Sequence, residues 1–87
     1  MADYQVVLSR SARKELERLP DKAADRIVCQ LEALGREPGP IGCLKLKGAG
    51  QWRIRSGDYR IIYAIDDSAR LIDVGLIRHR KDVYRDL

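Results

Sequence analysis

The sequence predicts an α+β fold: an N-terminal strand, a two-helix hairpin, then a three-stranded antiparallel meander, all in one mainly antiparallel sheet. Three observations predict it. Ala12, Leu16 and Leu19, then Ala24, Ile27, Val28, Leu31 and Leu34, recur at helical spacing. Trp52 and Ile54 alternate with Arg53 and Arg55, the period of two that puts apolar groups on one sheet face and charges on the other. Between that run and the aromatic, β-branched run Tyr59 to Ile65 stands Ser56-Gly57-Asp58, which suits a hairpin turn because glycine tolerates positive φ and aspartate can bond its own backbone.

Taken in order, Tyr4 to Leu8 is a short first strand, and Ser9 or Ser11 can cap the helix after it by accepting from a free N–H of the first turn. That helix covers residues 10–19. Pro20-Asp21 stops it and starts a second, with Asp21 at the positive end of the new dipole and Gly35 expected as a left-handed C-cap. Of the i, i+4 neighbours Arg13/Glu17, Lys14/Arg18 and Asp25/Cys29 only the first is a supportive pair, so the outer helix face reads as solvated surface. The Pro/Gly-rich stretch 37–42 is a short linker. Leu44-Lys45-Leu46-Lys47-Gly48 alternates and leads into the central hairpin, and Asp66-Asp67-Ser68 makes the next turn. Leu71 to Ile77 is nearly continuous in apolar residues, which places it inside the sheet, and Arg78-His79-Arg80-Lys81 ends it with charge.

With 87 residues, 45% apolar and 34% charged, residues 1–87 are expected to form one soluble domain with a small core. No run approaches the roughly 18 apolar residues of a membrane span. The chain begins without a basic leader and apolar h-region, so no secretory signal is expected, and Cys29 and Cys43 read as reduced thiols of a cytoplasmic protein. The net charge of +4 is uneven: residues 1–44 hold seven basic and seven acidic residues, residues 45–87 ten and six. The excess therefore sits in the strand-rich half, where it suits either a polyanion or water.

His pairs, Cys/His ligand spacings, Gly-rich phosphate loops and a visible Ser-His-Asp set are all missing, so neither a metal nor a cofactor is expected. The only histidine, His79, stands among arginines. Chemistry would then fall to cations and a tyrosine. Arg60 interrupts the apolar character of its strand and must reach solvent or an anion, since a buried unpaired cation is costly. With Arg53 and Arg55 on the neighbouring strand it makes a candidate anion site. Arg78, Arg80 and Lys81 are either a solvated chain end or further phosphate ligands, guanidinium forks being suited to bidentate contact. Tyr84 is either a packing residue or, with cations around it favouring the phenolate, a general base. Trp52 reads as core before it reads as a base-stacking platform, and Lys45 and Lys47 face either water or a phosphate backbone.

The run Leu44-Lys45-Leu46-Lys47-Gly48, Trp52-Arg53-Ile54-Arg55, Gly57-Asp58-Tyr59-Arg60-Ile61-Ile62-Tyr63 and Arg78-His79-Arg80-Lys81-Asp82-Val83-Tyr84 resembles the RelE/ParE superfamily of bacterial and archaeal toxins, over essentially the whole chain. Likeness to the RelE branch implies a ribosome-dependent endoribonuclease that cuts mRNA in the ribosomal A site by attack of a 2′-hydroxyl on the adjacent phosphate. It implies Tyr84 as general base, Arg78 as donor toward the leaving oxygen, and Arg60 with Arg53 and Arg55 holding the phosphate charge. Lys45 and Lys47 could share that last role, and Lys45, Lys47, Arg80 and Lys81 would contact RNA. Such a site has no strong intrinsic acid and base and would rely on the ribosome to position the substrate. The implied partners are a cognate antitoxin, the ribosome and mRNA, with the toxin monomeric alone and hetero-oligomeric with its antitoxin. Two alternatives stay open: a ParE-type inhibitor of DNA gyrase without nuclease chemistry, and an inactive antitoxin-binding module. The Arg78 and Tyr84 set, which the nuclease branch needs, favours the first reading.

Overall fold

The computed structural model describes residues 3–39, 44–45, 50–79 and 81. Strand β1 (Gln5–Leu8) leads to helices α1 (Arg10–Arg18) and α2 (Asp21–Arg36); β2 (Leu44–Lys45), β3 (Gln51–Ser56), β4 (Tyr59–Asp66) and β5 (Leu71–His79) follow. The strands form one sheet in the order β1-β5-β4-β3-β2. Among the described strands, only β1 and β5 run parallel; the other pairings are antiparallel. The α+β architecture is as the sequence predicts, with the two-residue β2 as an added edge.

One face of the sheet carries the core. Across β3, β4 and β5, Ile54, Ile61 and Ile77 stand in one row and Trp52, Tyr63 and Val74 in another. Ile65 pairs with Ile72, which pairs with Val6. Ala12 of α1 and Ile27, Leu31 and Leu34 of α2 close over these rows. Trp52 and Tyr59 pack against the core margin, and the Tyr63 hydroxyl donates to the Pro38 carbonyl at 2.9 Å. Among the described residues, no helix is long and apolar enough to cross a membrane.

Of the two serines offered as caps, Ser9 does the work: its Oγ accepts from the Ala12 N–H at 3.0 Å. The β3–β4 turn places Gly57 first with φ +59° and Asp58 second, the pattern of a type II′ turn, whose twist matches the strands.

Two expectations need correction. Gly35 is not a left-handed C-cap: α2 continues through it to Arg36 and is capped by Glu37. Gly35 is needed because β1 passes so close. The Tyr4 N–H donates to the Gly35 carbonyl at 2.7 Å, and a Cβ on Gly35 would lie 3.0 Å from the Tyr4 carbonyl oxygen. Nor does charge end β5, which runs through Arg78 and His79.

Candidate anion-binding face

The decisive local feature is a β-bulge. Tyr63 pairs with Val74 and Ile62 with Leu76, so Gly75 is the extra residue in β5. On the amino side of the bulge the even-numbered Ile72 and Val74 are buried; beyond it the odd-numbered Ile77 is. Side chains alternate with a period of two, so a single inserted residue exchanges the faces. Without it, Arg78 would follow Ile72 and Val74 into the core. With it, Arg78 emerges on the face opposite the helices. The bulge is held from outside, because the Ser9 hydroxyl donates to the Gly75 carbonyl at 2.7 Å and the Ser9 N–H donates to the Val74 carbonyl at 2.9 Å.

The result is a row of three arginines. Arg55 of β3 stands opposite Arg60 of β4, and Arg60 stands opposite Arg78 of β5. Neighbouring strands lie about 4.8 Å apart, so three guanidinium stems are set abreast within roughly 10 Å. Arg53 follows two residues from Arg55 on the same face, opposite Ile62. Arg53, Arg60 and Arg78 are half-buried and Arg55 is exposed. The Nε of Arg78 is buried. Arg55 Nε donates to the Gly57 carbonyl at 3.2 Å, which draws that side chain toward the hairpin turn. Like charges directly opposite on neighbouring strands are unfavourable. Such a row is the arrangement in which an anion with several oxygens gains most, each fork offering parallel N–H donors. It can hold a phosphate and the added charge of a five-coordinate transition state.

The other named residues fall elsewhere. Lys45 pairs with Trp52, on the helix side of the sheet, and its Nζ lies 5.8 Å from the Trp52 ring centroid. It is not in the arginine row, and Trp52 is occupied as a partner for Lys45 and the core. His79 is likewise on the helix side, edge-on to Tyr59 with ring centroids 5.2 Å apart. Lys81 is exposed, its N–H donating to His79 Nδ1 at 3.2 Å. Lys47, Arg80 and Tyr84 lie outside the described residues. The sequence reading missed the Gly75 bulge and the Ser9 contact that holds it. The available signal was a glycine inside an otherwise apolar strand.

A family described as the ParE toxin of type II toxin–antitoxin systems (parDE) matches residues 6–84. Toxin RelG of Mycobacterium tuberculosis is 34% identical over 84 residues, covering 94% of this chain and 97% of that protein. Toxin RelE of the same organism is also 34% identical, covering 94% and 87% respectively. Among solved structures, the M. tuberculosis toxin–antitoxin complex RelBE2 superposes with a TM-score of 0.80 at 31% identity, over 90% of this chain and 99% of the other. The archaeal RelE–RelB complex of Pyrococcus horikoshii gives 0.81 at 30% identity, over 90% and 96%.

Proposed function

The chain belongs to the ParE toxin family of type II toxin–antitoxin systems, and from that premise we propose that it is a metal-independent endoribonuclease of the RelE kind. It cuts mRNA in the ribosomal A site and is neutralised by a cognate antitoxin in the cytoplasm. The observation that carries the reading is the row Arg55, Arg60, Arg78, which three strands and one bulge set side by side. The RelE and RelG names of the full-length relatives support it, and the toxin–antitoxin complexes among the similar structures support the partner.

In this mechanism the phosphate of the scissile linkage lies over Arg60, with Arg53 and Arg55 sharing its charge. The Tyr84 phenolate takes the proton of the 2′-hydroxyl. The 2′-oxygen forms its bond to phosphorus as the 5′-oxygen bond breaks, leaving a 2′,3′-cyclic phosphate and a 5′-hydroxyl end. Arg78 donates a hydrogen bond to the departing oxygen, which takes its proton from water to become the 5′-hydroxyl. Since no carboxylate or histidine pair is assigned, the ribosome supplies most of the alignment of the attacking oxygen. Lys45, standing beside Trp52, has no part in holding the reacting phosphate.

A second reading, a gyrase inhibitor without chemistry, is favoured by the parDE description of the family. One pair of assays separates them. Added to a translating extract, the protein should generate new mRNA 5′ ends inside codons while leaving supercoiling by gyrase intact. Arrest of supercoiling without such ends would replace the first reading by the second.

A further inference from the structure

We propose that the flank of α1 facing β5 is a second phosphodiester-binding surface, joined to the arginine row through Arg78, which seats RNA backbone beyond the reacting linkage. It rests on the reading of that row as an RNA site, and its own test does not depend on cleavage.

The surface follows from how α1 is placed. Strand β1 pairs with β5 only over Leu71–Val74. Past Val74 the chain turns at Ser9, whose N–H and hydroxyl donate to the Val74 and Gly75 carbonyls while its Oγ accepts from the Ala12 N–H and so caps α1. The helix then runs along β5 with Ala12 fully buried and Leu16 and Leu19 packed on the core. Residues Ser11, Glu15 and Arg18 lie roughly 60° to 120° around the helix from Ala12 at 100° per residue. That flank forms a groove with the end of β5, lined by Arg10, Ser11, Lys14, Glu15, Arg18 and Arg78.

Its charge is one-sided. Arg10, Lys14 and Arg18 repeat at i, i+4, i+8 as one ridge, and all three are exposed. Like charges at that spacing destabilise a helix. Packing gives no reason for them, because the buried stripe lies elsewhere on the helix. Among the described residues that line the groove, four cations stand against one carboxylate, Glu15. A ridge of cations about 6 Å apart along the axis suits an extended polyanion better than a compact one. Arg78 belongs to both surfaces, so a strand lying over Arg55 and Arg60 that continues past β5 meets this ridge next. Lys14, by sequence a residue of a plain solvated face, is part of this path.

The test uses the full chain with Lys14→Gln/Arg18→Gln, and Arg13→Gln/Arg36→Gln as a control of equal charge loss off the groove. Two labelled RNAs serve as probes, a single-stranded 12-mer and a self-complementary A-form duplex, each titrated across salt concentrations. Unchanged circular dichroism and Tm establish that both variants fold. The groove variant should bind the single strand about tenfold more weakly, its salt slope reduced by about one per cation removed, with the control near wild type. Loss on the single strand assigns the surface to the message; loss confined to the duplex would place structured RNA there instead and overturn the proposal. Equal losses in both variants would reduce the effect to net charge and overturn the proposal. So would unchanged RNA affinity, with or without loss of a co-purifying antitoxin. If RNA binding falls as expected but wild type cuts no mRNA, the nuclease reading fails and the surface stands.

Discussion

Arg60 is the residue whose chemistry is most exposed to test. It sits between two other arginines in register, half-buried, on an interior strand. If its task is to hold two phosphate oxygens with a planar fork, charge alone will not replace it. Arg60→Lys should therefore lose most of the cleavage that Arg60→Ala loses, roughly 10²-fold from the size of comparable electrostatic contacts. Near-complete rescue by lysine, measured as cut ends per ribosome, would reduce Arg60 to a general positive charge. Tyr4 offers a second test at this scale. Its hydroxyl donates to Asp67 Oδ1, and that bond, with some desolvation and the Asp67 charge, raises the phenol above its usual value. A raised phenol means the fold holds the proton more tightly than the unfolded chain does. The contribution to stability is then complete below the ordinary tyrosine range near ~10 and is lost as pH rises through the folded value. Asp67→Asn should shift the Tyr4 step in an ultraviolet pH titration back down; no change would show that Asp67 is not the cause.

At the level of elements, much was legible because local pattern and tertiary demand agree. Alternation in β3, the Gly57-Asp58 turn and the Ser9 cap each follow from a few neighbouring residues. Arg53, Arg55 and Arg60 could be placed on one surface because β3 and β4 are joined by that tight turn, which fixes their register. Arg78 was harder to place. Its face depends on Gly75 being an insertion rather than a strand residue, and on Ser9, 66 positions away in sequence, holding the bulge. Gly35 was misread for the same reason: a glycine near a helix end suggests a cap, and only the passing β1 backbone reveals the close approach. Replacing it gives a prediction in which two effects oppose. Alanine would gain about 0.5–1 kcal/mol of helix propensity, but the Tyr4 carbonyl would have to yield, an overpacking cost of about 1–3 kcal/mol. The net should be a loss near 1 kcal/mol, lowering Tm by about 4–8 °C in a domain of this size. A higher Tm for Gly35→Ala would mean that β1 moves freely away from α2.

Seen whole, the molecule divides its labour between the two faces of one sheet. The helix side holds the core rows, with Lys45, Trp52, Tyr59 and His79 at their margin. The opposite side carries Arg53, Arg55, Arg60 and Arg78, and α1 extends the charge around the β5 edge with Arg10, Lys14 and Arg18. A sheet this small gains nothing in stability from arginines set abreast. On the proposed reading their alignment is a phosphate site that the fold tolerates, and functional sites are where conflicts between local stability and placement are expected. The most direct test compares wild type with Arg60→Ala in a translating extract, with mRNA 5′ ends mapped to the nucleotide. Wild type should leave cuts within codons, and the variant should leave about 10²-fold fewer while remaining folded. Equal cutting by both proteins, or no cutting by wild type while gyrase stalls, would contradict the assignment of this face to RNA cleavage.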